Sequence, residues 1–289
     1  MICFYHKSDF DGKCSGHIVS LKYPDVNLVP IDYGDDYNLD NIPFGETVCI
    51  VDFSFPPEEM YKLSKHCNLI WIDHHKTAIE NSRIPEHNYD KLCSGIRKDG
   101  IAACQLCWEY FFPKENIPEY VMLLAKYDIW DINYNNNVIP FQFGLELEET
   151  DIRYVDNIFT ILSNQEKTGT KQKLYEIIDA GFIINKYEKE KNKKICSSSI
   201  FKVNIEGFNL LALNNATGDS NIFESVSSQE HDGFLLFRRK KNNWTITFYT
   251  DKKNIDVSEI AKKFGGGGHR KAAGCVVPIG KLKEILGIE

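Results

Sequence analysis

The 289-residue sequence lacks the features of several special classes of protein. No apolar run approaches the ~18 to 20 residues that span a membrane. The N-terminus has no basic segment followed by an apolar one, so we expect neither a membrane anchor nor a secretory signal. The nine cysteines are an odd number without the spacing of a disulfide scaffold. We therefore expect a reduced, cytoplasmic protein.

Positive charge is also scarce, because 34 Lys and Arg face 41 Asp and Glu and the net charge is −7. Residues 197–289 carry 13 basic and 10 acidic side chains, whereas residues 1–196 carry 21 and 31. The acidic first part suits cations, and the mildly basic second part suits phosphate. A chain this acidic disfavours non-specific binding along a long nucleic-acid duplex.

Strand-like and helix-like segments alternate over the first 130 residues. The strand-like runs are "ICFYH", "NLVPIDY", "TVCIVDF" and "NLIWIDHH". This alternation predicts an α/β domain with a parallel sheet and helices on both faces. The helical segment "IAACQLCWEYFF" contains Cys104 and Cys107, which we interpret as buried core residues rather than as a metal or redox pair.

The character of the chain changes after residue 196. Residues 151–195 have mostly helical spacing, and four strand-like runs and two helical segments follow them. The segment "GGGGHRKAAG" lies between those two helical segments. We predict a catalytic domain over 1–165, a helical connector over 166–196 and a smaller mixed α/β domain over 197–289.

Carboxylates and imidazoles follow three of the predicted parallel strands. Since the carboxyl ends of such strands share one edge of the sheet, we expect these side chains to converge. An Asp at a strand end is also a common helix N-cap, so each Asp taken alone has two interpretations. Together, so many acids would repel one another without cations. Two divalent ions would relieve the repulsion, and mixed carboxylate and imidazole ligands suit Mn²⁺, with Mg²⁺, Co²⁺ or Zn²⁺ as alternatives. The side chains are His6, Asp9, Asp11, Asp52, Asp73, His74 and His75.

Several motifs carry a resemblance to a known family. "DHH" at 73–75 resembles the signature of the DHH phosphoesterase superfamily, "HKSDFDG" its first motif, "VDFSF" its second and "AKYDIWD" its fourth. "DVSEIAKKFGGGGHRKAAG" resembles the glycine-rich motif of the DHH-associated C-terminal domain. The resemblance covers nearly the whole chain and is weakest over 132–195. It implies a two-manganese phosphoesterase whose active site lies in a cleft between the domains.

The resemblance also implies a role for each site residue. His6 and Asp9 would bind one metal, Asp11, His74 and Asp128 the other, and Asp52 both. His75 would reach the phosphate, and Asp73 would orient a histidine. Asp131 is the alternative to Asp128. The spacing from His6 to Asp9 is one residue shorter than the family's common form, which leaves open whether His6 reaches its metal.

The glycine-rich segment has two interpretations, a flexible linker or a phosphate-binding loop followed by a helix N-terminus that adds partial positive charge. Its position inside the second domain favours the second, with Gly266, Gly267, Gly268, His269 and Arg270 contacting substrate. Many relatives carry a phosphate-binding arginine on the preceding strand. Here Tyr249 lies near that place, and Arg238 and Arg239 are candidates to replace the arginine.

These observations favour a manganese-dependent phosphodiesterase acting on short single-stranded oligonucleotides or small nucleotides, such as nanoRNA or 3′-phosphoadenosine 5′-phosphate. An exopolyphosphatase or pyrophosphatase-like enzyme is the first alternative, and a non-catalytic nucleotide-binding module is the second. The oligomeric state stays open, with a homodimer as one alternative.

Overall fold

The computed structural model describes residues 1–85, 88–218, 220–227 and 230–287. The chain divides into two compact units, Met1–Asn185 and Lys186–Glu289. The boundary between them falls within the predicted connector. The predicted domain limits at residues 165 and 196, and the predicted cleft, stay predictions.

A four-stranded sheet organises the first unit, with its strands in the order β2-β1-β3-β4. The strands are β1 (Ile2–His6), β2 (Asn27–Ile31), β3 (Thr47–Val51) and β4 (Asn68–Ile72). Every neighbouring pair is parallel, which confirms the predicted parallel sheet. The carboxyl ends of these strands therefore meet at one edge.

Helices cover both faces of this sheet, as predicted. Cys3 and Tyr5 of β1 pack in one apolar cluster with residues of α1, α4 and α5, while Phe4 packs in another with Met60 of α2. Strands buried on both faces read as continuous apolar runs, as these do. The α-helices up to residue 199, of which α8 extends beyond the first unit, are α1 (Phe10–Lys22), α2 (Pro57–His66), α3 (Lys76–Asn81), α4 (Ala103–Phe111), α5 (Glu119–Asp128), α6 (Val138–Leu145), α7 (Ile158–Thr168) and α8 (Gln172–Ser199).

The burial of two cysteines agrees with a further expectation. Cys104 and Cys107 of α4 are fully buried in the first cluster, which confirms that they are core residues. All nine cysteines of the sequence are free thiols. Within the described part of the chain, no helix is both long enough and apolar enough to cross a membrane.

A six-stranded mixed sheet organises the second unit, in the order β5-β6-β7-β8-β10-β9. The β6–β7 pair is parallel, and the other pairs are antiparallel. Apolar residues of this sheet pack against α9 (Val257–Lys263) and α10 (Leu282–Leu286). The predicted smaller mixed α/β domain is confirmed. The strands are β5 (Phe201–Ile205), β6 (Phe208–Asn214), β7 (Gly233–Lys240), β8 (Asn243–Tyr249), β9 (Gly267–Gly268) and β10 (Ala272–Pro278).

The surroundings of the glycine-rich segment correct one prediction. We expected a helix N-terminus after this segment, but the chain continues as β10, and Gly267–Gly268 pairs with that strand. A Cβ on Gly266 would lie 2.0 Å from the backbone oxygen of Gly274. Glycine is therefore needed here for the close approach of two chain segments. The run "KAAGCVVP" concealed a strand because small residues begin it.

Candidate active site

The predicted ligands converge at the carboxyl edge of the first sheet. His6 is the last residue of β1, Asp52 directly follows β3, and Asp73 directly follows β4. Asp9 is the N-cap of α1 and Asp11 lies in its first turn, and three residues separate the end of β1 from the start of α1. The parallel topology therefore assembles side chains from three separate stretches of sequence.

Asp52 occupies the centre of this group. Its side chain is almost fully buried, and its backbone has a left-handed φ of 53°, which is costly for a residue other than glycine. Its Oδ2 lies 3.5 Å from His6 Nδ1, and its Oδ1 lies 3.1 Å from His74 Nε2. The two oxygens of one carboxylate thus face two different imidazoles.

The first ligand group contains His6, Asp9 and Asp52. Their ligand atoms all lie within 4.8 Å of one another. His6 Nδ1 lies 2.8 Å from Asp9 Oδ2. Asp9 Oδ1 accepts a hydrogen bond from the backbone N–H of Gly12 and so caps α1. The capping and ligand interpretations of Asp9 are compatible, because each uses a different oxygen.

The second ligand group contains Asp11, Asp52 and His74, again within 4.8 Å. His74 Nε2 lies 3.5 Å from Asp11 Oδ2. The Asp11 carboxylate also accepts hydrogen bonds from the backbone N–H groups of Ala103 and Cys104, at 2.8 and 2.7 Å. Asp11 therefore holds the N-terminus of α4 against the site, where a negative charge is stabilised by the helix dipole.

The geometry favours Asp128 over Asp131 as the further member of the second group. Asp128 Oδ2 lies 3.4 Å from His74 Nε2. Asp131 instead forms an ion pair with Lys126 at 3.0 Å, and its side chain is 45% exposed. Asp128 is the last residue of α5 and Asp131 lies three residues beyond it, and of the two Asp128 faces the histidine.

Asp73 orients the second histidine of the "DHH" motif. Its Oδ1 accepts hydrogen bonds from the backbone N–H groups of His74 and His75, at 2.7 and 3.1 Å. His75 Nδ1 lies 2.7 Å from the same oxygen, which assigns the proton to Nδ1. The imidazole of His75 is therefore fixed with its Nε2 on the opposite side of the ring.

Sequence reasoning missed one residue of this site. Asp32 directly follows β2, and its Oδ1 lies 3.3 Å from His6 Nε2. This contact places Nε2 of His6 against Asp32 and Nδ1 towards Asp9 and Asp52. The quoted run "NLVPIDY" contained the signal, since the same rule about strand ends applies to Asp32.

The residues present fit divalent cations. His6 Nδ1 and Asp52 Oδ1 are buried polar atoms without a hydrogen bond among the described residues, although other ligand atoms lie close to both. Nitrogen and oxygen atoms that lie close together without forming hydrogen bonds are typical of metal ligands arranged around an ion. Carboxylate oxygens and imidazole nitrogens suit Mn²⁺, Mg²⁺ and Co²⁺.

The pKa shifts of two histidines also agree with a site that favours cations. Burial lowers the pKa of His6, but the carboxylates of Asp9, Asp32 and Asp52 outweigh burial and raise it above its usual value. Burial also lowers the pKa of His74, but the carboxylates of Asp128, Asp52 and Asp11 outweigh burial and raise it. The surrounding carboxylates therefore favour positive charge at these two positions, as they would favour a bound cation.

The predicted substrate-binding residues of the second unit lie around the β9–β10 hairpin. The backbone N–H of His269 donates to the carbonyl oxygen of Ala272 at 2.8 Å. Arg270 is exposed, and its Nη2 donates to the carbonyl oxygen of Lys253 at 2.6 Å. The roles of Gly266, Gly267, Gly268, His269 and Arg270 stay predictions. Arg238 and Arg239 are exposed at the end of β7, and their role also stays a prediction.

Comparisons with known proteins bear on these motifs. The family model of the DHHA1 domain matches residues 207–288. The oligoribonuclease NrnB of Bacillus subtilis (strain 168) is 23% identical, over 96% of this chain and 73% of its own length. The second unit thus matches the DHHA1 domain family, and the likeness to NrnB agrees with the motifs that resemble the DHH phosphoesterase superfamily. These similarities agree with the predicted class, a hydrolase acting on phosphoric ester bonds.

Two further relatives define the extent of the likeness. Uncharacterized protein R106 of Acanthamoeba polyphaga mimivirus is 28% identical, over 79% of this chain and 52% of R106. The chain thus spans about half the length of R106 and about three quarters of NrnB. The solved structure of PggH, a pGpG-specific phosphodiesterase from Vibrio cholerae, has a TM-score of 0.50 and 15% identity, covering 98% of this chain and 95% of PggH. That likeness shows a shared fold.

Proposed function

We propose that this protein is a manganese-dependent phosphodiesterase that hydrolyses short oligonucleotides or small nucleotides, with two metal ions. The observation that carries the proposal is the position of Asp52. One buried carboxylate faces His6 with one oxygen and His74 with the other, as a ligand shared by two cations requires.

The residues divide between the two cations as follows. His6, Asp9 and Asp52 would hold the first ion, and Asp11, His74 and Asp128 would join Asp52 around the second. When bound, the ions would supply Lewis-acid chemistry, neutralising phosphoryl oxygens and lowering the pKa of a water molecule. Mg²⁺ and Co²⁺ are the alternatives to Mn²⁺.

His75 would act on the substrate through its Nε2. Its Nδ1–H donates to Asp73, which fixes both the ring and the tautomer. Burial lowers the pKa of His75, but Asp73 and Asp52 outweigh burial and raise it. An imidazolium held in this way can donate from Nε2 to a phosphoryl oxygen or to the leaving group. Asp73 is the positioning residue for this proton.

Short oligonucleotides are the substrate class that the similarity to NrnB supports. NrnB is named as an oligoribonuclease, and the resemblance covers 96% of this chain. NanoRNA of 2 to 5 nucleotides and 3′-phosphoadenosine 5′-phosphate are the specific candidates. We propose a cytoplasmic location for this activity, in keeping with the reduced cysteines.

A substrate panel tests the proposal. The protein is assayed with Mn²⁺ on RNA and DNA of 2 to 5 nucleotides, 3′-phosphoadenosine 5′-phosphate, cyclic dinucleotides, pyrophosphate and polyphosphate. Asp52→Asn should abolish hydrolysis, whereas the control Asp131→Asn should retain it, because Asp131 pairs with Lys126 outside the ligand groups. Absence of metal-dependent hydrolysis of every compound would refute the enzyme, and a strong preference for pyrophosphate or polyphosphate would refute the substrate class.

A further inference from the structure

An exposed aromatic ring lies at the rim of the candidate metal site. Tyr33 directly follows Asp32, and its side chain is 50% exposed. Its ring centroid lies 5.7 Å from that of His6 and 6.4 Å from that of His75. Tyr33 therefore borders both a candidate metal ligand and the histidine that we place at the phosphate.

The turn that carries this ring is fixed by hydrogen bonds. Asp32 Oδ1 accepts from the backbone N–H of Tyr33 at 2.8 Å, and the backbone N–H of Asp32 donates to Asp35 Oδ2 at 3.0 Å. The backbone N–H of Asp35 donates in return to the carbonyl oxygen of Asp32 at 3.1 Å. Lys7 forms an ion pair with Asp35. The ring is thus held in place, which reduces the entropic cost of binding against it.

Buried aromatic residues support the ring from behind. The centroid of Tyr33 lies 4.6 Å from that of Phe53, and Phe53 lies 5.1 Å from Phe55. Phe53 and Phe55 are both almost fully buried, while Tyr37, 4.8 Å from Phe55, is 42% exposed. The result is an aromatic row with solvent-facing rings at its two ends.

The charge of this turn selects against phosphate. Residues 32–40, "DYGDDYNLD", contain four aspartates and neither lysine nor arginine. Of these, Asp35 is paired with Lys7, and Asp36 is exposed. A chain of phosphates leaving the metal site in this direction would meet like charge, whereas a neutral ring would meet a tyrosine face. Heteroaromatic bases stack well on such a face, whatever their hydrogen-bonding pattern.

We propose that Tyr33 stacks against the nucleobase next to the scissile phosphate, and so makes a nucleotide rather than an inorganic polyphosphate the substrate of this site. This inference rests on the proposed function, because it assigns a substrate to the same metal centre. Tyr33 acts on specificity, and the metal ligands act on the reaction.

The test compares substrates with and without a base. The assays use Mn²⁺ with a dinucleotide and with the same dinucleotide lacking one base. The variants are Tyr33→Ala, Tyr33→Phe and, as a control, Tyr154→Ala, which removes a similarly exposed tyrosine (60%). Loss of one stack should lower kcat/KM for the intact dinucleotide by about 5- to 100-fold in Tyr33→Ala. The abasic compound should be hydrolysed equally by wild type and Tyr33→Ala. Tyr33→Phe should behave as wild type, because the ring remains.

Binding without turnover separates this inference from the proposed function. A phosphorothioate-linked dinucleotide containing 2-aminopurine should lose fluorescence on binding to wild type and much less with Tyr33→Ala. Equal losses of kcat/KM on both substrates, or unchanged quenching in Tyr33→Ala, would overturn the stacking role while leaving a phosphodiesterase. If wild type hydrolyses no phosphoester, the proposed function fails. The difference in fluorescence quenching between wild type and Tyr33→Ala then decides by itself whether Tyr33 contacts the base.

Discussion

Asp32 provides a sharp test of how the first ligand group is held. Asp32→Ala removes the acceptor that lies 3.3 Å from His6 Nε2. The imidazole could then rotate, and Nδ1 would no longer be directed towards Asp9 and Asp52. The spacing of His6 and Asp9, shorter than the common family form, makes this constraint on the ring more important.

The contact geometry sets the expected magnitude. Loss of a carboxylate behind a metal-bound histidine commonly costs 10- to 100-fold in metal affinity or activity, to order of magnitude. At 3.3 Å the contact is at the long end for a hydrogen bond, and the Asp32 side chain is 19% exposed. We therefore expect the lower part of that range, about tenfold weaker Mn²⁺ binding at the first site.

Calorimetric titration with Mn²⁺, without substrate, measures this effect. Asp32→Asn should fall between wild type and Asp32→Ala, because an amide oxygen still accepts from His6 Nε2 while the negative charge is lost. Asp36→Ala, an exposed acid of the same turn, is the control and should bind Mn²⁺ as wild type does. An Asp32→Ala protein with unchanged affinity for both ions would refute the reasoning.

Three other predictions follow from the same geometry. Mn²⁺ affinity should rise with pH and binding should release protons, because the imidazoles of His6 and His74 have raised pKa values and must lose a proton to bind the metal. Titrations in buffers of different ionisation enthalpy measure this release, and a pH-independent affinity would contradict the prediction. Gly12→Ala should cost about 1 to 3 kcal/mol in thermal unfolding, because the new Cβ would lie 2.2 Å from the backbone oxygen of His6, whereas Gly280→Ala, with open space around it, is the control. Asp128→Ala should weaken Mn²⁺ binding by at least about tenfold and Asp131→Ala should not; the opposite order would reverse our ligand assignment.

The sequence allowed much of this site to be predicted, because its residues follow strands. A parallel sheet brings strand ends to one edge, so His6, Asp52 and Asp73 could be grouped from three runs of sequence alone. Asp32 obeys the same rule, and it was missed because no motif singled it out. The role of Tyr33 depends on a turn whose hydrogen bonds no sequence pattern displays.

Other features required the tertiary structure. The contact of Asp11 with the N-terminus of α4 joins residues 92 positions apart. The glycine-rich segment was expected to precede a helix, but it forms an edge hairpin, because the requirement for glycine comes from the neighbouring strand. Local propensity does not reveal such a neighbour.

The most direct test of the account is the number of Mn²⁺ ions that the protein binds, measured by calorimetry together with dinucleotide hydrolysis on the same samples. We predict two ions per chain for wild type, and for Asp52→Asn fewer than two ions together with loss of hydrolysis, because Asp52 faces both ligand groups. Wild type that binds fewer than two ions, or Asp52→Asn that binds both with unchanged affinity, would contradict the account.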